Sequence, residues 1–132
     1  MVTTAAKAVI DYIEEQNLLR NTEEVGAYMH GKLLDLKDKY QLIGDVRGMG
    51  LLQAIELVED RRTKVPATAA TLKMMDAARD NRIMIGRGGL YGNVLRCSPP
   101  MNISRSDVDE FILRLDAAFA KVEATVMAGS AG

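Results

Sequence analysis

The chain has 132 residues, of which 17 are lysine or arginine and 18 are aspartate or glutamate, so its formal net charge is -1. This balance provides no basic surface for nucleic acid, and we expect no nucleic-acid partner. His30 is the only histidine, so zinc sites and histidine-based catalytic dyads or triads lack parts unless another chain supplies them. A single cysteine, Cys97, fits a reducing compartment. The lack of a long apolar run and of a signal-peptide pattern predicts a soluble, cytoplasmic protein without a membrane partner.

Two helices are predicted at the N-terminal end. Thr3 or Thr4 can cap the first helix, in which apolar residues recur on roughly one face at Ala5, Val9, Ile13 and Leu19. Asn21 or Thr22 is the predicted cap of the second, followed by two glutamates that suit the positive end of the helix dipole. Its apolar stripe has helical spacing and consists of Val25, Met29, Leu33, Leu36 and Tyr40.

A sheet is predicted to begin after the second helix. Three glycines in residues 43–50 disfavour a helix and predict a strand with a kink or bulge. Residues 51–58 are mostly apolar on both faces, which predicts a central strand covered on both sides. Residues 59–66 form a polar connection, in which we expect Arg61 and Arg62 to be solvated.

The second half of the chain alternates again between helix and strand. Residues 67–81 predict a third helix, with Leu72, Met75 and Ala78 facing the core. A short apolar run follows, and the glycine-rich residues 86–92 predict a flexible loop. Tyr91 stands where a dinucleotide-binding fingerprint needs its third glycine, so we exclude a phosphate cradle there. Residues 94–97 then form a short strand, which the prolines at 99 and 100 end.

The last helix has the clearest pattern. Ser104 and Asp107 have the spacing of an N-terminal cap, and residues 129–132 should be frayed. The helix has a core stripe of Val108, Phe111, Ile112, Leu115, Phe119, Val122 and Val126. The element order predicts one domain over residues 1–128, of the α/β class, an α+β sandwich. In it, about four helices cover a small sheet that is mainly antiparallel or mixed.

Arg96 is the candidate site residue, because it is a lone cation near the end of an apolar strand. Its guanidinium needs either an internal carboxylate, such as Glu56 or Asp45, or a ligand from outside the chain. From the residues themselves the two possibilities have about equal weight. For Arg47, in contrast, we favour a structural ion pair. Cys97 and Ser98 are interpreted as packing and turn residues, because no histidine is nearby in sequence to activate them.

Two motifs stand out in the chain. One is GDVRGMGL at residues 44–51, followed by AIEL at residues 54–57, and the other is RCSPPM at residues 96–101. With these two motifs the chain resembles the class III aminotransferases, pyridoxal-phosphate enzymes of the ornithine, 4-aminobutyrate and alanine-glyoxylate type. The resemblance covers essentially the whole chain and corresponds to the C-terminal small domain of those enzymes. The run GRGGLYGN at residues 86–93 is most similar to the alanine-glyoxylate branch.

This resemblance implies a role for Arg96 and an incomplete enzyme. In the family, the arginine before the two prolines binds the substrate carboxylate, so Arg96 is the predicted substrate-binding residue for amino-acid and keto-acid substrates. The cofactor lysine lies in a large domain without a counterpart here, so we expect a fragment that is inactive by itself. It should carry no catalytic, cofactor-binding or metal-binding residue of its own and bind no pyridoxal phosphate. The resemblance further implies a missing large domain as partner and a homodimer in the longer enzyme. The alternative is a free-standing domain that binds small carboxylates or dimerises without catalysis.

Overall fold

The computed structural model describes residues 1–130 of the chain, which contain four helices and four strands. The backbone of the last helix is described to its end, whereas residues 131–132 of the predicted frayed segment lie outside the described part. The elements are α1 (Val2–Glu15), α2 (Leu18–Lys39), β1 (Ile43–Met49), β2 (Leu52–Leu57), α3 (Thr68–Asp80), β3 (Gly86–Gly88), β4 (Val94–Cys97) and α4 (Arg105–Ser130).

The four strands form one antiparallel sheet in the order β1-β2-β4-β3. β1 and β2 form a hairpin that turns at Gly50, whose φ of +52° favours glycine. The register shifts between Ile43 and Asp45, so the predicted irregularity in this strand is a β-bulge. The first part of the predicted loop 86–92 is the edge strand β3, because Gly86 and Gly88 pair with β4 instead of remaining unpaired.

Helices of the described chain cover one face of the sheet. Gln53, Ile55 and Leu57 of β2 are buried on that side, against a core formed with α2, α3 and α4. The prediction that β2 is covered on both sides is wrong, because the alternate β2 residues are exposed or half-buried. We call this second side the open face. It consists of Asp45, Arg47, Leu52, Ala54, Glu56 and Arg96.

The first two helices meet at Asn17, which adopts a left-handed conformation with a φ of 52°. α2 therefore begins at Leu18, earlier than the predicted caps Asn21 or Thr22. Asn21 does not cap, because its side-chain amide donates to the backbone oxygens of Met101 and Ile103. Within α1 no residue is buried, so its apolar stripe lies on the surface of the described chain.

The face that α3 turns to the core is only partly the predicted one. Ala78 is buried and Met75 packs against the core as predicted, whereas Leu72 is 50% exposed. Small residues of α3 that the prediction left out are buried where α3 packs on α4. The buried residues of α3 are Ala70, Thr71, Met74, Ala77 and Ala78.

The predicted cap and stripe of α4 are confirmed. The Ser104 Oγ accepts from the backbone N–H of Asp107 at 3.2 Å, and Asp107 Oδ2 accepts from the backbone N–H of Ser104 at 2.9 Å. Val108, Leu115 and Phe119 are fully buried. α4 is thus fixed at its start and contributes Phe119, the largest fully buried side chain of the described core.

Arg61 lies in the polar connection between β2 and α3, and the prediction that it is solvated is wrong. Its guanidinium donates to the backbone oxygens of Lys37, Tyr40 and Ile43. These oxygens belong to the end of α2 and the start of β1, where a helix leaves its last carbonyls without intrahelical partners. Arg61 therefore connects the end of the helix to the sheet.

None of the helices in residues 1–130 is both long enough and apolar enough to cross a lipid bilayer.

Candidate functional site

Arg96 lies on the open face, at the third position of the four-residue strand β4. Its neighbours Leu95 and Cys97 point to the core and are buried, as the alternation of a strand requires. The same alternation directs the Arg96 side chain away from the helices, where it is exposed. The strand thus presents a cation on the uncovered side of the sheet.

Gly86 of β3 is the cross-strand neighbour of Arg96. A β-carbon at position 86 would lie 3.4 Å from Nε and 3.5 Å from Nη2 of Arg96. The guanidinium therefore lies across the backbone of the edge strand, where the missing side chain leaves space for it. Sequence reasoning placed Gly86 in a flexible loop and missed this contact, because the pairing of β3 with β4 has no local sequence signal.

Arg47 belongs to the same row of the sheet as Arg96, with Ala54 between them. It is held by two acids: Nη1 lies 2.6 Å from Oε2 of Glu56 and 3.0 Å from Oδ2 of Asp45. The hydrogen bond to Glu56, together with the one to Asp45, raises the pKa of Arg47. The predicted structural ion pair of Arg47 is therefore present.

The same contacts leave Arg96 without the internal partners that the sequence suggested. Glu56 and Asp45 were its candidate internal partners, and both bind Arg47 instead. Within residues 1–130, the Arg96 guanidinium forms no ion pair or hydrogen bond with another residue. Of the two arginines in this row, one is neutralised inside the chain and the other is available to an external anion.

A cleft with a volume of about 410 Å³ surrounds Arg96. It is open to solvent and otherwise apolar, apart from Ser98. Its wall comes from the hairpin residue Leu52, from β3 and from the end of β4. The lining residues are Leu52, Met84, Ile85, Gly86, Arg96 and Ser98. A guanidinium in an apolar cleft is a suitable binding group for a small carboxylate.

Cys97 and Ser98 follow Arg96 but have different environments. Cys97 is buried in the core, and burial raises the pKa of its thiol to about 12. A thiol with this pKa is not a nucleophile at neutral pH. Ser98 is exposed where the chain turns into Pro99. Both placements agree with the predicted packing and turn roles.

The seven lysines of the chain are all exposed or half-buried. Lys7, Lys39 and Lys121 lie in surface ion pairs. A lysine that forms a Schiff base needs a desolvated setting or a nearby cation to lower its pKa. The described residues therefore do not fit a Schiff-base site for pyridoxal phosphate.

The fold is that of a family of transaminating enzymes, and residues 1–119 match the description "Aminotransferase class-III". The chain belongs to this family. It is 44% identical over 120 residues to an Arabidopsis thaliana protein named alanine--glyoxylate aminotransferase 2 homolog 2, mitochondrial, with 91% of this chain and 25% of the relative covered. It is 41% identical over 123 residues to a leucine/methionine racemase of Thermococcus litoralis, covering 93% of this chain and 27% of the relative.

Solved structures are similar to the chain throughout its fold. An amine transaminase from an uncultivated Pseudomonas species, in a form with bound pyridoxal phosphate, superposes with a TM-score of 0.81 at 35% identity, covering 89% of this chain and 27% of that one. A phospholyase from Arthrobacter superposes with a TM-score of 0.83 at 28% identity, covering 88% of this chain and 28% of that one. The chain thus spans about a quarter of the length of the relatives it matches.

Proposed function

We propose that this chain is the carboxylate-binding part of a pyridoxal-phosphate-dependent aminotransferase, and that Arg96 binds the carboxylate of the substrate. The longer enzyme would move an amino group between an amino acid or amine and a keto acid. The observation that carries the proposal is the contrast within one row of the sheet. Arg47 is neutralised by two acids, whereas Arg96 has no partner among residues 1–130 and lies in a cleft.

The geometry of a guanidinium explains what Arg96 would do. Its two parallel N–H groups bind both oxygens of a carboxylate, which fixes the position of the substrate and its rotation. The substrate amino or keto group is then held in one direction relative to the bound carboxylate. A lysine would fix the position alone. Because a keto acid also has a carboxylate, the same arginine serves amino acids and keto acids.

The aldehyde chemistry of transamination would come from pyridoxal phosphate, held by a part of the enzyme outside this chain. No described lysine suits this cofactor, and the matched relatives are about four times longer. We therefore propose that the 132-residue chain has no transaminase activity by itself. In the longer enzyme, the open face and α1 would contact the cofactor-binding domain or a second subunit of a homodimer, since both carry uncovered apolar side chains such as Leu52, Val9 and Ile10.

The relatives are named for different reactions, which supports a binding role for Arg96 and not a chemical one. A racemase and a phospholyase match this chain over about a quarter of their own length, as the transaminases do. A protein part shared by enzymes that are named for different reactions supplies binding, while the reaction depends on other groups. Arg96 is accordingly proposed as a substrate-binding residue and not as an acid, base or nucleophile.

A hybrid enzyme tests the proposal. In the Arabidopsis relative, the matching 120 residues are replaced by this chain, and transamination is measured with pyridoxal phosphate for the hybrid and for the 132-residue chain by itself. We expect activity in the hybrid and none in the isolated chain. Activity of the isolated chain, or a folded hybrid that binds the cofactor but transfers no amino group, would contradict the proposed role.

A further inference from the structure

A second cavity adjoins the cleft around Arg96. It has a volume of about 290 Å³ and opens at the end of β4. Apart from Ser98 its lining is apolar: Met29, Met84, Ile85, Cys97, Pro99, Pro100, Ile103 and Phe111. We call this cavity the apolar groove. Its floor is part of the core, since Met29, Ile85 and Cys97 are buried.

The apolar groove and the Arg96 cleft share three residues, Met84, Ile85 and Ser98. Arg96 and Cys97 are consecutive and point to opposite faces of the sheet, so the two cavities meet around the end of the strand. Met84 stands between them and is 98% exposed. The guanidinium of one cavity therefore lies next to the apolar lining of the other, and Ser98 is the one polar residue that the two linings share.

We propose that the apolar groove binds the side chain of the carboxylate that Arg96 holds, so that the chain selects amino and keto acids with an extended apolar side chain. This inference rests on the proposed role of Arg96. A molecule with a carboxylate at one end and a hydrocarbon chain at the other is complementary to the pair in charge and in polarity. Each cavity by itself is near the lower limit of a small-molecule site, and joined they form one of ordinary size.

The expected selectivity follows from the burial of hydrocarbon. A methylene group transferred from water to an apolar site gains enough free energy to tighten binding about fourfold. In the series pyruvate, 2-oxobutanoate, 2-oxopentanoate and 2-oxohexanoate, each member should bind about fourfold more tightly than the one before. A larger polar group on the side chain should cancel this gain, because the groove offers few hydrogen-bonding partners.

Binding in the apolar groove can be followed by NMR through the methionine methyl groups that line it. The 132-residue chain is labelled with carbon-13 at its methionine methyls, and the four keto acids are titrated while NMR shifts are recorded. Met29 and Met84 line the groove, whereas Met49 lies on the β1–β2 hairpin and lines neither cavity. We expect the shifts of Met29 and Met84 to follow the binding curve, with an affinity that increases along the series, while Met49 stays unchanged.

Two variants separate the inference from the proposed function. Ile103→Phe narrows the apolar groove at a residue that does not line the Arg96 cleft, so it should abolish the dependence on chain length while pyruvate still binds. The matched control Thr63→Phe, in the exposed β2–α3 connection, should keep the dependence. Arg96→Ala should weaken all four keto acids. Equal affinities along the series, with binding still lost in Arg96→Ala, would overturn the groove and leave the role of Arg96 intact. Affinities for all four keto acids that stay unchanged in Arg96→Ala would overturn the role of Arg96 and, with it, the inference that rests on it.

Discussion

The contact between Gly86 and Arg96 makes a graded prediction about substrate binding. In Gly86→Ala the new β-carbon would lie 3.4 to 3.6 Å from the Arg96 side chain, which is close to ordinary van der Waals contact. In Gly86→Val two further methyl groups extend from that carbon into the space that the guanidinium occupies. The alanine should therefore leave the guanidinium in place, and the valine should displace it.

The size of the effect follows from the hydrogen bonds that are lost. A displaced guanidinium keeps its charge near the carboxylate but loses one of its two parallel donors. A hydrogen bond to a charged group contributes about 1.5 to 3 kcal/mol, so the catalytic efficiency of the hybrid enzyme should fall about ten- to hundredfold in Gly86→Val. In Gly86→Ala it should change less than about threefold. Neither change strains the backbone, because Gly86 is a strand residue without a positive φ.

The assay compares kcat/KM for a keto acid in the hybrid and its two variants, and urea unfolding of each checks the fold. β-branched residues are favoured in strands, so valine at this edge position should not lower stability. A valine variant that is folded and retains full efficiency would refute the idea that the position of the guanidinium over Gly86 matters for the carboxylate.

Two further predictions concern stability. Arg61→Met should lower the free energy of unfolding, measured by urea denaturation, by about 3 kcal/mol, because three backbone oxygens lose a charged donor. The control Arg62→Met should change it by less than about 0.5 kcal/mol. Equal losses in the two variants would contradict the role of Arg61 at the end of α2. Burial raises the pKa of Asp116, but hydrogen bonds from Lys39 and Tyr40 outweigh it and leave this pKa below its ordinary value. The resulting stabilisation is present above about pH 4 and is lost as the pH falls through the lowered pKa. In Asp116→Asn the free energy of unfolding should therefore fall less steeply as the pH is lowered below about 4 than it does in the unchanged chain. The same decrease in both would contradict the contribution of Asp116.

Periodic patterns predicted the elements that pack through large side chains. The stripe of α4 and its Ser104 cap could be predicted because regular spacing and a local capping motif both reside in the sequence. The face of α3 could be predicted only in part, since Ala70 and Ala77 are buried by close helix packing and not by strong hydrophobicity. The cap of α2 was misplaced because Asn21 bonds to a loop about eighty residues away.

In the candidate site, too, features local to the sequence could be predicted, whereas contacts between distant segments could not. Arg96 could be singled out because a lone cation in an apolar strand is a local feature. Its surroundings could not: the register that places Gly86 beside it, and the pairing of Arg47 with Glu56, depend on which strands are neighbours. The open face of β2 was also missed, because an apolar face does not reveal whether this chain or another part of the enzyme covers it.

The most direct test of the role of Arg96 compares two substrates of the hybrid enzyme. Arg96→Ala should lower kcat/KM for a keto acid about ten- to hundredfold, because the carboxylate loses its charged donors. For an amine donor without a carboxylate, kcat/KM should stay within about twofold of the unchanged hybrid. Arg96→Lys should lie between the two for the keto acid, and Arg62→Ala should have no effect on either. Equal losses for the amine and the keto acid, or none for both, would contradict carboxylate binding by Arg96.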